Sequence, residues 1–436
     1  MKSIGVGLIG LGTVGTGVVK ILRRNREMIS RRAGGSVRMV KFCDKFIKSR
    51  PDAGIRRQDV TQDYKELLQD RQVDIVVELI GGYEPARTII LDALKAGKHV
   101  VTANKAVLAM YWDEILTTAQ KHRRLVYFEA AVGGGIPVIQ GLNEGLAANR
   151  IRRIIGVLNG TTNYILTKMS EENVSFKEAL AQARKAGFAE ANPTFDIEGI
   201  DTAHKLAILS SIAFGGWVKI SDIPTEGISK LDLFDLQLAE REFGLGLKLI
   251  GIAKENHGRV EARVHPAFLP LSHPFLSVKN EYNAVLIEGD AADDVMFYGK
   301  GAGQMAAASA VVSDIIFVAR HIAEGTAGRL PYVTYDEKRK IKILKPEDAR
   351  CKYYLRFTTK DKPNVLAKIS GILGRFRVSI DSVFQPTVID EGKIGPHAHI
   401  LAVTHAARTG SIMKAVRRID RLKITKTKTV LIRIED

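Results

Sequence analysis

The chain predicts an α/β protein of three successive domains, and three observations carry that prediction. Its 436 residues exceed what a single hydrophobic core usually organises, at roughly 150 residues per domain. The first third alternates near-continuous apolar runs with amphipathic helical stretches, the pattern of a parallel sheet covered on both faces. Beyond residue 350 the period changes: Cys351 to Thr358 reads as strand, Val365 to Phe376 as helix, Val378 to Thr387 and Pro396 to Thr404 as strands, Gly410 to Arg421 as helix and Ile424 to Ile434 as strand, the β-α-β-β-α-β order of a ferredoxin-like unit.

Ser3 to Ile9 reads as a strand, Gly10-Leu11-Gly12-Thr13-Val14-Gly15 as a tight turn, and Val14 to about Arg24 as an amphipathic helix. This is the Rossmann-type dinucleotide-binding arrangement. Gly10 permits the turn, Gly12 lets backbone approach a pyrophosphate, and Gly15 lets helix pack on strand. The phosphate then rests on helix N-terminal amides, here those of Thr13 and Val14. After a longer connection from Arg24 to Gly35, the strand Val37 to Cys43 ends at Asp44, a carboxylate suited to a ribose 2′-hydroxyl. Lys45, Lys48 and Arg50 follow and suit a 2′-phosphate, so NAD and NADP both stay open. Val73 to Gly82 reads as a buried strand and a Gly81-Gly82 turn, and Arg87 to Ala96 as a helix. Lys105 falls just past the next strand, at the sheet end where open α/β folds bind ligands. It is either a cofactor-facing or catalytic lysine or a solvated surface one.

Glu129 to Pro137 reads as a glycine-rich turn ahead of a helix beginning at Pro137. Further on, Gly187-Phe188-Ala189-Glu190-Ala191-Asn192-Pro193-Thr194-Phe195-Asp196 precedes a helix from Asp201 to Phe214. Asp201 and Lys205, four apart, lie on one face of it, which is either a reactive pair or an ordinary helix ion pair worth roughly 0.3–0.5 kcal/mol. Gly299 to Gly303 returns the chain to the cofactor, and a helix from about Met305 to Ala323 packs back on the first domain. A Gly-, Pro- and charge-rich linker follows. The expected divisions are 1–135 (completed by about 305–330), 136–304, a linker 331–349, and 350–436.

Taken together, Gly10–Gly15, Glu78–Gly82, Ala96–Lys105, Glu129–Pro137, Leu158-Asn159-Gly160-Thr161-Thr162-Asn163-Tyr164, Gly187–Lys205, Gly299–Gly303 and Ala310–Asp314 closely resemble the homoserine dehydrogenases. The form resembled is the long one, with a C-terminal regulatory ACT domain, and the matches run in order over nearly the whole chain. The resemblance implies NAD(P)-dependent interconversion of L-homoserine and L-aspartate 4-semialdehyde by a homodimer or homotetramer. It implies that Lys205 donates and accepts the proton, with Lys105 beside the nicotinamide and reacting oxygen as the second choice. Two adjacent ammonium groups and partial burial should depress both lysine pKa values. Glu190 and Asp201 would hold the substrate α-ammonium with backbone help from Gly187, so Asp201→Asn would act mainly on homoserine binding. Glu129 and the carbonyls of Val132, Gly134 and Ile136 would bind Na+ or K+, hard ions that favour oxygen. His204, next to Lys205, reads as structural or as a support to that lysine rather than as a ligand.

Asp361–Ile369 with Ser379–Gln385 resembles the ACT pattern for small amino acids, which implies L-threonine as feedback effector. Three departures stand out. Asn364 and Arg377 occupy positions where glycine is usual, and Ala306-Ala307 replace a common Pro-Thr. The ACT unit is then either regulatory or a purely structural subunit pairing. Two other functions compete with the leading one: a dehydrogenase of another small amino-acid aldehyde or dicarboxylate, and a catalytically silent amino-acid sensor.

Composition narrows the remainder. The net charge of +17 concentrates in Lys20–Arg57 and Lys338–Lys362, yet neither stretch interleaves stacking aromatics, so the expectation is no nucleic-acid partner and a positive field for anionic ligands. No apolar run suits a membrane span or signal peptide. Two distant cysteines, Cys43 and Cys351, fit a reducing, cytoplasmic setting.

Overall fold

The computed structural model describes residues 3–46, 50–335, 339–386, 389–390, 393–394 and 397–436. Lys48 and the expected strand ends Thr387 and Pro396 lie outside the described residues.

A six-stranded parallel sheet organises the first unit. Its elements are β1 (Ser3–Ile9), α1 (Thr13–Arg24), α2 (Arg26–Ala33), β2 (Ser36–Cys43), β3 (Val60–Thr61), α3 (Tyr64–Gln69), β4 (Ile75–Glu78), α4 (Ala86–Lys95), β5 (His99–Thr102), α5 (Lys105–Lys121) and β6 (Val126–Tyr127). The strand order is β3-β2-β1-β4-β5-β6. The stretch expected as a plain connection after Arg24 is helical, and Gly34 ends it in the left-handed conformation. Its Ile29 and Ala33 are buried, which supplies the reason a polar, arginine-rich segment still folds as a helix.

The second unit begins with α6 (Val138–Gln140), one residue past Pro137, and a wider turn carries that short helix through Gly141–Gly145. Then come β7 (Ile151–Val157), α7 (Gly160–Glu172), α8 (Phe176–Lys185), α9 (Thr194–Ile197), α10 (Ile200–Phe214), α11 (Leu233–Phe243), β8 (Leu245–Asn256), β9 (Arg259–Pro270), β10 (Tyr282–Gly289), β11 (Asp293–Lys300) and α12 (Gln304–Ala323). Helix α10 buries nearly every residue against the sheet, Asp201, His204 and Lys205 included. Although α12 is long and apolar enough to cross a membrane, its apolar face packs on α1, with Val311, Ile315 and Val318 against Val18, Val19 and Leu22. The approach is close: a methyl group at Gly17 would come within 2.9 Å of the Ala308 Cβ.

The third unit contains β12 (Arg350–Lys360), α13 (Val365–Arg375), β13 (Ile380–Phe384), a small hairpin β14 (Ile389–Asp390) and β15 (Lys393–Ile394), β16 (His397–Thr404), β17 (Ala407–Arg408), α14 (Thr409–Ile419) and β18 (Val430–Ile434). Its main strands run β18-β12-β16-β13. The last strand is shorter than the Ile424–Ile434 run suggests, because Asp420 accepts both the N–H and the hydroxyl of Thr429 and holds the preceding loop in a turn. Strand β18 also pairs in parallel with β9, through Arg433 and Ile434 opposite Ala267 and Phe268, so the second and third units share one continuous sheet. The segment between them is pinned. Tyr332 stacks on Tyr127 at 3.8 Å, Gln120 donates to the Tyr335 carbonyl, and Val260 exchanges backbone hydrogen bonds with the Lys342–Leu344 stretch.

Both unusual positions of the third unit are left-handed: φ is +69° at Asn364 and +58° at Arg377. Asparagine tolerates that region, whereas arginine carries a Cβ clash worth roughly 1–2 kcal/mol. Arg377→Gly is therefore expected to raise stability by about 0.5–1 kcal/mol, read as a higher urea midpoint at unchanged slope.

Candidate active site

The glycine turn explains itself sterically. Gly10 has φ of +100°, a methyl group on Gly15 would lie 2.0 Å from the Gly10 carbonyl oxygen, and one on Gly12 would meet nothing within 4 Å. So Gly10 and Gly15 are required by the chain itself, while the open side of Gly12 faces space a pyrophosphate would fill. A cavity of about 770 Å³ adjoins it, lined by Gly10, Gly12, Asp44, Lys45, Arg50 and Gly81, among others. One Asp44 oxygen accepts the Leu11 N–H at 2.6 Å and the other the Phe46 N–H at 2.9 Å. The Arg50 Nε donates to the Leu11 carbonyl, which brings its guanidinium to the same turn. Thr13 begins α1, Val14 follows it, and Gly303 caps α12 beside them, since Gln304 Nε2 donates to the Thr13 carbonyl and the Thr16 hydroxyl.

Lys105 is the first residue of α5, behind the cap Asn104. A chain of hydrogen bonds fixes that helix end. Thr102 donates its hydroxyl to the fully buried Glu78, Asn104 donates backbone N–H to Thr102 and side-chain N–H to the Gly82 carbonyl, and Glu78 accepts from Ile80 and Gly81 N–H. Burial pushes the Glu78 carboxyl upward. Glu78, Thr102 and Asn104 entered the sequence reading only as parts of matching stretches, with no role given to any of them.

Lys105 and Lys205 meet at Asp201. Lys105 Nζ is 2.8 Å from Asp201 Oδ1, and Lys205 Nζ is 2.7 Å from Asp201 Oδ2. Asn159, which caps α7, donates to Asp201 at 2.9 Å and to Asp196 at 2.7 Å. Lys205 also donates to the Leu158 carbonyl at 2.6 Å, which leaves one of its three N–H groups. Sequence assigned Asp201 to the substrate ammonium; here its oxygens are taken by two lysines and an amide.

The two lysines respond in opposite directions, which corrects the expectation that both are depressed. Burial, reinforced by the Lys105 charge, lowers Lys205 despite Asp201. Burial also works against Lys105, but Asp201, Asp196 and Glu190 outweigh it and its pKa rises. Burial decides the difference, because Asp201 is equally close to both: the Lys205 side chain is 10% exposed against 34% for Lys105, and Glu190 adds to the charges that favour the Lys105 ammonium. Asp201 is held well below the carboxylate range: burial would raise it, yet the two lysines prevail. Asp196, which sequence quoted but gave no role, is raised by burial.

Gly187 has φ of +78° and closes α8, with its N–H on the Arg184 carbonyl. The loop it opens places Glu190 at the surface, and the Thr161 hydroxyl donates to the Phe188 carbonyl at 2.6 Å to hold that loop. The His204 ring lies between Tyr83 and Phe195, and burial lowers its pKa to about 4, so it is a neutral wall of the cleft.

In the Glu129–Pro137 turn, the Glu129 oxygens accept the N–H groups of Ile139 and Gln140, both at 2.8 Å. The Ile136 carbonyl accepts from Val138, Val132 is buried, and a methyl group on Gly134 would meet the Gly301 carbonyl at 2.5 Å. The turn thus leans on the strand that leads to Gly303.

Comparison with known proteins points to one family. The pattern of the homoserine dehydrogenase NAD-binding domain matches residues 10–129, and that of homoserine dehydrogenase matches residues 137–316. Homoserine dehydrogenase of Neisseria gonorrhoeae is 42% identical over 100% of this chain and 99% of its own. The crystal structure of a homoserine dehydrogenase from Thiobacillus denitrificans superimposes with a TM-score of 0.94 at 42% identity, covering 100% of this chain and 99% of that one. A hyperthermophilic archaeal homoserine dehydrogenase in complex with NADPH has a TM-score of 0.60 at 26% identity, over 72% of this chain and 97% of that chain.

Proposed function

From the premise that this chain belongs to the homoserine dehydrogenases, a family of oxidoreductases that use a nicotinamide cofactor, we propose that Lys205 transfers the proton, with Asp201 anchoring both lysines and deeper burial setting Lys205 apart in basicity. The observation that carries this reading is the single buried carboxylate shared by Lys105 and Lys205. The nicotinamide supplies or takes the hydride at the substrate's C4. Lys205, lowered toward neutrality and with one N–H uncommitted, protonates the developing alkoxide in one direction and accepts the hydroxyl proton in the other. Lys105 stays charged and stabilises the same oxygen. Glu190 and Asp196 hold the α-ammonium of L-homoserine or L-aspartate 4-semialdehyde, with Asp201 behind them and the Gly187 turn presenting Glu190.

Residues 1–135 with 305–330 serve as the cofactor half, 136–304 as the substrate and dimerisation half, and 350–436 as an ACT unit that answers to L-threonine. The test is the rate of absorbance change at 340 nm with L-homoserine and either NAD or NADP, with and without L-threonine. Turnover with neither cofactor would sink the catalytic reading, and a flat threonine titration the regulatory one. Because Arg50 reaches the glycine turn beside Asp44 and Lys45, Arg50→Ala is expected to lower kcat/KM for NADP about tenfold, the loss of one charge-assisted hydrogen bond. NAD should be little affected.

The Glu129–Ile136 turn is assigned Na+ or K+. Burial, with Glu144 adding, pushes the Glu129 carboxyl up to about 7. A raised carboxyl favours the folded state below its unfolded pKa, and that contribution is lost as pH rises through about 7. A cation held there reverses the loss. Thermal unfolding at pH 8 should occur several degrees higher in sodium or potassium chloride than in choline chloride, and equal midpoints would remove the ion from this turn.

A further inference from the structure

Lys248 is a buried lysine of β8 for which the mechanism above has no use. Its Nζ donates to the Asn163 Oδ1 at 2.8 Å and to the Val278 carbonyl at 2.6 Å, and among the described residues no carboxylate lies within ion-pair distance. Lysine is rarely buried unless paired, so a lysine in a neutral cage requires a reason. The cage offers two neutral acceptors and no counter-charge, and burial lowers Lys248 to about 8.

What the contact achieves is an orientation. With Asn163 Oδ1 held by Lys248, the Asn163 amide nitrogen faces the opposite way and shares its two N–H groups among three carbonyls, those of Val278, Asn280 and Tyr282, at 3.1, 2.9 and 3.1 Å. Asn280 N–H in turn donates to the Thr167 hydroxyl, which donates to the Asn163 carbonyl. The segment Val278–Tyr282 is thereby laid along α7. Its Glu281 carbonyl sits so close to Gly160 that a methyl group there would lie 2.8 Å away. Gly160 is the first residue of α7, and the cap before it, Asn159, bridges Asp196 and Asp201.

We infer that Lys248 is a positioning residue for the substrate: by fixing the Asn163 amide it sets the Asn159-Gly160 corner from which Asp196 and Asp201 are held. The inference rests on the proposed substrate site. It places the origin of homoserine affinity partly in a side chain that touches neither substrate nor cofactor.

The test is steady-state kinetics on the full chain with Lys248→Met and Lys248→Gln. Methionine keeps the length and volume and removes both donors; glutamine restores a donor. Lys248→Met should raise the homoserine KM at least tenfold with kcat within about threefold and the cofactor KM unchanged, and Lys248→Gln should recover most of the loss. Asn163→Asp provides a second arm if the methionine variant does not fold. It pairs Lys248 more strongly yet loses the three donated hydrogen bonds, so it should show the same homoserine defect. Normal homoserine KM in folded Lys248→Met, or parallel losses for homoserine and cofactor, would overturn the inference, as would normal homoserine KM in Asn163→Asp. Asp196→Asn assayed alongside separates the premises: a normal homoserine KM in that variant would remove the substrate corner itself, whereas a normal KM in Lys248→Met alone removes only the lysine.

Discussion

Lys205→Ala is expected to lower turnover at least 10²-fold, the lower end of roughly 10²–10⁴ for a positioned general acid or base, while cofactor affinity changes less than about threefold. Lys205 is held by Asp201 and the Leu158 carbonyl and does not line the cavity at the glycine turn, so its loss should touch proton transfer and not nucleotide binding. The pH dependence has a sign that separates the two directions. Homoserine oxidation needs the neutral amine, so its rate rises as pH climbs through the Lys205 pKa. Semialdehyde reduction needs the ammonium and falls over the same range. Because burial and Lys105 lower that pKa, both changes should lie below the ordinary lysine value. In Lys205→Ala both profiles should flatten. A variant that kept the profile, at whatever rate, would transfer the proton role to Lys105.

Asp201→Asn is expected to be as severe and to act differently. Removing one member of a buried ion pair typically costs about 3–5 kcal/mol, because the remaining charge has no partner. Here two ammonium groups lose the same partner. Lys105, now raised by Asp201, should fall with Lys205, and the substitution should lower kcat together with the unfolding midpoint. Sequence alone points to homoserine binding as the main casualty. The shared contact redirects the expectation to turnover and stability, and a variant with normal kcat and a raised homoserine KM would restore the simpler view.

The contrast shows what could be read in advance. The spacing of Asp201 and Lys205 was legible because four residues on a helix bring side chains together whatever the fold. The glycine fingerprint was legible for a similar reason, since Gly15 answers to the Gly10 carbonyl five residues away and Gly10 to its own φ of +100°. Lys105 meeting Asp201 was not legible as a contact. It depends on how α5 of one unit faces α10 of the next, and without it the sign of the Lys105 shift came out reversed. Asn159 and Asp196 lay inside stretches already singled out, and their role depends on a cap geometry that composition does not reveal. The third unit's order followed from its periodicity, whereas its parallel joint to β9 involves only two residue pairs and leaves no pattern to detect.

The packing of α12 on α1 has a consequence for synthesis on the ribosome. The apolar face of α1, with Val18, Val19 and Leu22, is covered by residues translated far later, up to Ile322. At about 5–20 residues per second, roughly 10–40 s separate the emergence of residue 135 from that of residue 323. Throughout that interval the nascent cofactor half carries an uncovered greasy stripe. It is during this wait, more than after release, that the chain would draw on a chaperone, and a fragment stopped near residue 135 should aggregate where one extended through residue 323 does not.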